Sequence, residues 1–221
     1  MKNAETPVIK LALYGAMSSL GSALMAEMLR RQHEVIAILD DLTALAPRPG
    51  LRTKTGDLFS AERVKQSVAG CSAVICVLDS PRLPINSEHM EKTPVLGPVE
   101  QVMAVDTLIA GMQSIKVPRL FLVGEFAVLD DPEDNDRLQR HAAEEILDAL
   151  QCSTLQWTLV NSPRAVHGLT LEHFSQVSSS LEEGMALSLE RLNRVAVGIA
   201  DELQLKLHLG EHVNFVAVTP Q

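Results

Sequence analysis

Short apolar runs alternate along the chain with segments in which apolar residues recur at the spacing of a helix. The runs predict strands at Val8–Tyr14, Val35–Leu39, Ala73–Leu78, Leu120–Val123 and Trp157–Val160, with a weaker strand at Leu51–Thr55. A period of about 3.6 residues predicts helices at Ser19–Arg31, Ala61–Ala69, Val99–Ile115, Asp136–Leu150 and Arg191–Leu203. A closing strand is predicted at Val213–Val218. Strands that alternate with helices indicate an α/β fold, a doubly wound parallel sheet with helices on both faces.

No internal repeat, low-complexity tract or linker divides the chain, so residues 1–221 are predicted to form a single domain. The longest irregular stretch is Asp79–Pro98, which contains four prolines. Residues from about 164 to 212 are less regular than the rest. We expect them to form a small C-terminal lobe that covers a substrate at the strand ends.

Composition and charge exclude several classes of protein. Apolar residues make up 46% of the chain, which excludes a disordered protein. No run approaches the roughly 18 apolar residues that predict a membrane span. The formal net charge is −9 and the longest basic block is Arg30-Arg31, so the charge argues against contact with nucleic acid.

The cysteines favour a reducing compartment. Cys71, Cys76 and Cys152 have no metal-ligand spacing, so no metal site is predicted. The segment Lys10–Ala26 has the apolar character of a signal peptide, but its charge lies inside the segment and it also fits a strand, turn and helix. We therefore expect a cytoplasmic protein.

A pair of glycines follows the first predicted strand and opens the first predicted helix. In a doubly wound sheet this turn holds dinucleotide phosphates, because glycine allows the tight turn and helix N–H groups face the anion. Asp40 lies 19 residues after Gly21, where a carboxylate accepts hydrogen bonds from the adenosine ribose. Gly15 and Gly21 can also serve a purely steric purpose, and Asp40-Asp41 can form a solvated turn, so both interpretations stay open.

Three further segments accompany this turn: Gly56-Asp57-Leu58, the run AVICVL at 73–78, and the run WTLVNSP at 157–163. Together they resemble the atypical short-chain dehydrogenase family of NAD(P)H-binding proteins, in particular its NADH-flavin reductase-like and NmrA-like members. The likeness extends from Lys10 to about Val218 and implies a Rossmann-like fold.

The resemblance implies a dinucleotide site. Its cofactor-binding residues would be Gly15, Met17, Ser18, Ser19, Leu20, Gly21, Asp40, Asp57, Leu58, Val77, Leu78, Asp79, Gly124 and Pro163. Relatives contact the adenine amino group at the position of Asp57, which can equally be an N-cap or turn residue. Relatives that bind NADP carry an arginine where this chain has Asp40, so NAD(H) is favoured over NADP(H). Arg48 and Arg52 lie further along and could compensate.

The turn departs from the family's Gly-Ala-Thr-Gly-x-x-Gly pattern at Met17 and Ser18. A side chain replaces the middle glycine at the point where the backbone approaches the phosphate, which weakens the expectation that the cofactor binds. The Ser18 hydroxyl could itself donate to the phosphate, whereas Met17 would crowd the turn or lie on the cofactor.

The Tyr-x-x-x-Lys pair with which relatives reduce carbonyls has no counterpart, because the single tyrosine, Tyr14, lies in the first predicted strand. The candidates for polar groups that face a substrate are Glu125, His141, Arg164 and His167. Glu125 follows a predicted strand, where ligands bind in such sheets. The other three can equally be ordinary residues of a helix surface or loop.

These features imply hydride transfer from the nicotinamide cofactor to a flavin or a quinone-like small molecule, which can take its proton from water or a weak donor. The alternative is a non-catalytic dinucleotide-binding sensor or regulator, as among NmrA-like proteins. The sequence leaves the formation of a homodimer open.

Overall fold

Strands and helices alternate along the part of the chain that the computed structural model describes, residues 8–78, 96–131, 136–163, 168–175 and 183–215. The strands are β1 (Lys10–Tyr14), β2 (Glu34–Leu39), β3 (Leu51–Thr55), β4 (Ala73–Val77), β5 (Arg119–Gly124), β6 (Gln156–Asn161) and β7 (Glu211–Val213). The helices are α1 (Ser19–Arg30), α2 (Ala61–Val68), α3 (Pro98–Ser114), α4 (Arg137–Cys152), α5 (Leu171–Ser175) and α6 (Glu183–Leu205). A 3-10 turn spans Ala127–Leu129.

The strands form one sheet in the order β3-β2-β1-β4-β5-β6-β7, and every neighbouring pair is parallel. At the end of β1, Tyr14 pairs with Ile38 on one side and with Cys76 on the other. The strand order reverses here, which opens a crevice beyond the carboxyl ends of β1 and β4. The predicted doubly wound parallel sheet is confirmed, and the reversal locates its ligand-binding edge.

Both faces of the sheet are covered by helices, which explains why its strands show no alternation in the sequence. Leu11 and Leu13 of β1 pack into a core shared with α1, α5 and α6. Ala12 and Tyr14 of the same strand pack into a second core with α2, α3 and α4. None of the helices in the described residues is long and apolar enough to cross a membrane.

The C-terminal elements differ from the prediction in their bounds. α6 begins at Glu183, ahead of the predicted Arg191, and packs along α1, where Asp201 forms an ion pair with Arg31 at 2.7 Å. β7 begins at Glu211 because the preceding Gly210 N–H already donates to the Trp157 carbonyl at 2.8 Å. The predicted start of the closing strand at Val213 is therefore wrong. Residues 214 and 215 lie beyond β7, and 216–218 lie outside the described residues.

The helix α5 is an element that the hydrophobic pattern does not predict, because five residues are too few to show a helical period. It packs against α1, and just before it the Leu169 N–H donates to the Ser19 hydroxyl at 3.2 Å. α5 and α6 both belong to the stretch 164–212, whose role as a substrate lobe stays a prediction. Most of the irregular stretch, residues 79–95, lies outside the described residues, and α3 starts at its last proline, Pro98.

A buried polar network fixes the amino ends of β5 and β6 to the end of α6. The Arg119 guanidinium donates to the Thr158 hydroxyl at 2.7 Å and lies 3.8 Å from a carboxylate oxygen of Glu202. Thr158 donates in turn to the His208 carbonyl at 2.6 Å, and the His208 N–H donates to Glu202 at 2.7 Å. Burial lowers the pKa of Arg119 to about 10. The network holds the loop that leads into β7.

Candidate functional site

Two glycines and a serine shape the turn between β1 and α1. Gly15 has a φ of +79°, in the left-handed region that favours glycine. A Cβ on Gly21 would lie 2.1 Å from the Gly15 carbonyl oxygen, so a side chain at this position would push the helix away from the turn. The Ser18 hydroxyl donates to that same oxygen at 2.8 Å and accepts from the Gly21 N–H at 2.9 Å. Ser18 is therefore the N-cap of α1.

The first turn of α1 offers two backbone donors, the N–H groups of Ser19 and Leu20, which have no acceptor among the described residues. They lie at the positive end of the helix dipole, beside the crevice between β1 and β4. The side chains of both residues are buried, so their contribution to a bound anion would come from the backbone. This arrangement binds phosphate groups in proteins.

Met17 and Ser18, the two positions at which the turn differs from the family's pattern, have different roles in the structure. The Ser18 hydroxyl proton is directed at the Gly15 carbonyl, so its expected hydrogen bond to a phosphate would compete with this hydrogen bond inside the turn. The Met17 side chain is partly exposed at the turn and does not belong to either core. The turn thus keeps its shape without the family's middle glycine, because Ser18 fixes it by capping.

Asp40 and Asp41 follow the end of β2 and have separate roles. The Asp41 carboxylate accepts from the Thr43 N–H at 2.8 Å and from the Thr43 hydroxyl at 2.7 Å, which makes it the turn residue. The Asp40 carboxylate is exposed and has no hydrogen bond or ion pair among the described residues. It lies where a dinucleotide-binding sheet places the acidic residue that holds the ribose.

Asp57 lies in the connection after β3, at the same edge of the sheet. One carboxylate oxygen accepts from the Phe59 N–H at 2.9 Å, so Asp57 is a turn residue. The N-cap of α2 is Ser60, which accepts from the third N–H of that helix. Leu58 between them is partly buried against the core. The second oxygen of the exposed Asp57 stays available for a ligand.

In the part of the chain that the structure describes, none of the positive side chains near β2 and β3 forms an ion pair with Asp40. Arg48 forms an ion pair with Glu172 of α5, and its neighbour Leu51 pairs with Val35 at the amino end of β2. Arg52 pairs with Ile36 one position further on. The Lys54 ammonium group donates to the Ser67 carbonyl at the end of α2, at 3.2 Å.

The carboxyl ends of β4 and β5 form an apolar floor beside the crevice. Val77 and Leu78 are buried, and the Leu78 N–H donates to the Val123 carbonyl at 2.9 Å. A Cβ on Gly124 would lie 3.1 Å from the Phe126 ring, so the position is nearly filled. Pro163 follows β6 and is partly buried, while Asp79 lies outside the described residues.

Of the four candidates for substrate contact, the structure describes two. Glu125 is exposed directly after β5, at the ligand-binding edge. His141 lies on the exposed face of α4, 3.4 Å from Glu145 one turn later, which is the position of an ordinary surface residue. Arg164 and His167 lie outside the described residues.

Tyr14 is unsuited to acid or base chemistry. Its hydroxyl lies 2.5 Å from the Ser67 hydroxyl, which donates its own proton to the Val64 carbonyl at 2.9 Å, so Tyr14 is the donor. Burial raises the pKa of the Tyr14 phenol well above its usual range. The phenol is therefore a structural hydrogen-bond donor between β1 and α2.

Three polar side chains that the sequence analysis does not single out meet at the carboxyl ends of the later strands. An Asp130 oxygen lies 3.2 Å from the Asn161 amide nitrogen, and the other lies 3.3 Å from His212 Nδ1. His212 Nε2 lies 2.8 Å from the Asn161 amide oxygen. Asn161 is 31 residues from Asp130 and 51 from His212, so no motif marks the group, although a polar residue ending a buried strand was a usable signal. Within the described ranges, no three His, Cys, Asp or Glu side chains are arranged to hold a metal ion.

Solved structures share the fold at low sequence identity. A proposed epimerase from Bacteroides thetaiotaomicron is 19% identical with a TM-score of 0.66, over 97% of this chain and 100% of that one. A proposed NADH-flavin reductase from Streptococcus pneumoniae is 22% identical with a TM-score of 0.57, over 93% and 98%. The Bordetella bronchiseptica enzyme WbmH, solved in complex with NAD+, is 14% identical with a TM-score of 0.61, over 96% and 77%. No curated protein matches the sequence at a significant level.

The family model for NAD(P)H-binding proteins matches residues 15–202, which is most of the chain. The match begins at the glycine turn and includes the carboxyl ends of β2, β4, β5 and β6. The residues that form the crevice therefore fall inside the matched range. This chain belongs to the NAD(P)H-binding family.

Proposed function

We propose that this protein is an oxidoreductase that transfers hydride from NADH to a flavin or a quinone-like acceptor. The observation that carries the proposal is the pairing of two features at one edge of the sheet. The N–H groups of Ser19 and Leu20 lie at the start of α1, and the Asp40 carboxylate lies after the end of the adjacent β2; neither has a hydrogen-bond partner among the described residues. These are the two polar requirements of a bound dinucleotide.

Each part of the cofactor has a matching group in the crevice. The Ser19 and Leu20 N–H groups would hold the pyrophosphate, and Asp40 would accept hydrogen bonds from the ribose hydroxyls. The free Asp57 oxygen would accept from the adenine amino group. The nicotinamide, when bound, supplies the hydride. The buried Val77 and Leu78 would exclude water from that half of the site.

The charges favour NADH over NADPH. A 2′-phosphate on the ribose would lie against the Asp40 carboxylate, and like charges repel. Within the described ranges, no arginine is placed at this edge to compensate as in NADP sites, since Arg48 is paired with Glu172 and Arg52 lies toward the amino end of β3. Lys54 is occupied at the end of α2.

The choice of acceptor follows from the state of Tyr14. A buried phenol that donates to Ser67 cannot serve as the acid that carbonyl reduction requires. Flavins and quinones can accept hydride without a dedicated acid in the protein, because water or a weak donor can supply the proton. A structural neighbour of this fold described as a proposed NADH-flavin reductase supports the same class.

The test is titration with NADH and NADPH, followed by nicotinamide fluorescence. NADH should bind more tightly than NADPH, and Asp40→Ala should weaken NADH binding by about 1–3 kcal/mol. Asp41→Ala is the matched control, because it removes a neighbouring carboxylate that is occupied by Thr43. The absence of binding at millimolar concentration would overturn the proposal. Binding without turnover of flavin or quinone would favour a sensor, the second candidate, which the burial of Tyr14 also suits.

A further inference from the structure

The segment of residues 168–175, here called the docked segment, is attached to the start of α1. Its Leu169 N–H donates to the Ser19 hydroxyl oxygen at 3.2 Å, between residues that are 150 positions apart in the chain. Ser19 is 7% exposed, and Leu169 and Leu171 are 2% and 3% exposed. Both leucines belong to the same core as Leu20, and α5 packs against α1. The docked segment is therefore fixed to the helix turn whose N–H groups lie beside the crevice.

A second contact ties the docked segment to the connection between β2 and β3. Glu172 of α5 forms an ion pair with Arg48, which belongs to the connection that begins at Asp40. Within α5, the Ser175 hydroxyl donates to the Leu171 carbonyl at 2.7 Å, so the docked segment also has hydrogen bonds of its own. It thus contacts both elements that carry polar groups for a dinucleotide, the start of α1 and the connection that follows β2.

Ser19 serves the crevice and the docked segment with different atoms. Its backbone N–H has no acceptor among the described residues, whereas its hydroxyl oxygen accepts from Leu169. The first N–H groups of a helix have no partner inside the helix, and helix ends fray unless another contact holds them. A phosphate on the Ser19 N–H and the docked segment on its hydroxyl would both hold this residue. Each would therefore reduce the conformational freedom that the other has to restrict.

We propose that Ser19 is a positioning residue that couples the dinucleotide site to the docked segment; this rests on the proposed function. Phosphate binding at the N–H groups of Ser19 and Leu20 strengthens the attachment of the docked segment. By linkage, the attached segment strengthens the binding of the phosphate to the same extent. Because the docked segment belongs to the predicted C-terminal lobe, binding of NADH would fix part of this lobe before an acceptor arrives.

Hydrogen–deuterium exchange of the backbone amides, measured by mass spectrometry with and without saturating NADH, tests the coupling. In the wild type, we expect NADH to slow the exchange of the docked segment by about threefold to tenfold, the effect of one hydrogen bond. Ser19→Ala keeps the backbone N–H and removes the hydroxyl. NADH should bind to this variant about threefold to tenfold more weakly and should no longer slow the exchange of the docked segment.

Ser22→Ala is the matched control, because it makes the same substitution at a buried serine one turn later in α1. Among the described residues, the Ser22 hydroxyl has no hydrogen bond to the docked segment, so this variant should behave as the wild type. Glu172→Gln is a second variant, which weakens the contact with Arg48 and leaves α1 unchanged. Its docked segment should exchange faster without NADH, and NADH should still slow the exchange.

The comparison with and without NADH separates coupling from a purely structural role of Ser19. A structural role would speed the exchange in Ser19→Ala but leave the slowing by NADH intact, and this result would overturn the coupling. NADH that binds the wild type without slowing the exchange of the docked segment would also overturn it. In both cases the proposed function stands. Wild-type protein that does not bind NADH would overturn both the coupling and the proposed function.

Discussion

Substitution of Gly21 by alanine tests whether the close contact between α1 and the turn holds the phosphate-binding donors in place. The new Cβ would lie 2.1 Å from the Gly15 oxygen, whereas ordinary contact begins at 3.4 Å, so the backbone must move by more than 1 Å. The Gly15 oxygen accepts from the Ser18 N–H at 3.1 Å and from its hydroxyl at 2.8 Å, and this movement breaks both hydrogen bonds.

The magnitude follows from the contacts that are lost. Each hydrogen bond contributes about 0.5–1.5 kcal/mol, and the steric strain adds about 1–3 kcal/mol. Alanine returns about 1 kcal/mol through its better helix propensity. The free energy of unfolding should therefore fall by about 3 kcal/mol. With a slope of about 2 kcal/mol per molar urea, the unfolding midpoint falls by about 1.5 M.

Urea unfolding followed by circular dichroism measures this change, and NADH fluorescence measures its effect on the site. Binding should weaken at least tenfold, because Ser19 and Leu20 move with the start of the helix. Gly97→Ala is the matched control, since a Cβ there meets its nearest neighbour, Glu100, at 3.8 Å. Helix propensity alone would make the Gly21→Ala protein more stable than the wild type. A variant that is as stable as the wild type, or more stable, would therefore refute the reasoning.

Three further substitutions test other parts of the structure. Asp40→Asn removes the repulsion toward a 2′-phosphate, so the ratio of NADPH to NADH affinity should rise by about tenfold in fluorescence titration; an unchanged ratio would contradict the charge argument. Glu202→Gln leaves the buried Arg119 charge unpaired and should cost about 3–5 kcal/mol in urea unfolding, whereas replacing both residues by apolar ones should recover most of the loss. Burial and the nearby Arg31 charge lower the pKa of His33, so below about pH 6.5 the unfolded chain binds a proton that the folded chain does not. The free energy of unfolding should therefore fall as the pH decreases below that value. If it fell equally steeply with pH in a His33→Gln variant, His33 would not be the group responsible.

The sequence alone determined the strands, most of the helices and the position of the glycine turn. Strands buried on both faces are continuous apolar runs, and amphipathic helices such as α2 and α4 have a clear period, so local pattern suffices for them. The alternation of the two element types then restricts the sheet to parallel crossovers. The sequence pattern did not predict the boundaries of α6 and β7, because tertiary contacts set them. One of these contacts is the hydrogen bond from Gly210 to Trp157.

Only the tertiary structure decided which polar residues are occupied and which are available. Asp40 and Asp41 are indistinguishable in the sequence, yet Thr43 occupies one carboxylate and leaves the other exposed. By residue type, the Ser18 hydroxyl can donate to a phosphate or to its own turn; in the structure its proton is directed at the Gly15 carbonyl while its oxygen caps the helix. The contacts that unite Asp130, Asn161 and His212 arise because parallel strands bring residues far apart in the chain to the same edge of the sheet. Hydrogen-bond partners that are 31 or 51 residues apart leave no local pattern in the sequence. The residue type therefore indicates which hydrogen bonds a side chain can form, and the packing determines which of them it does form.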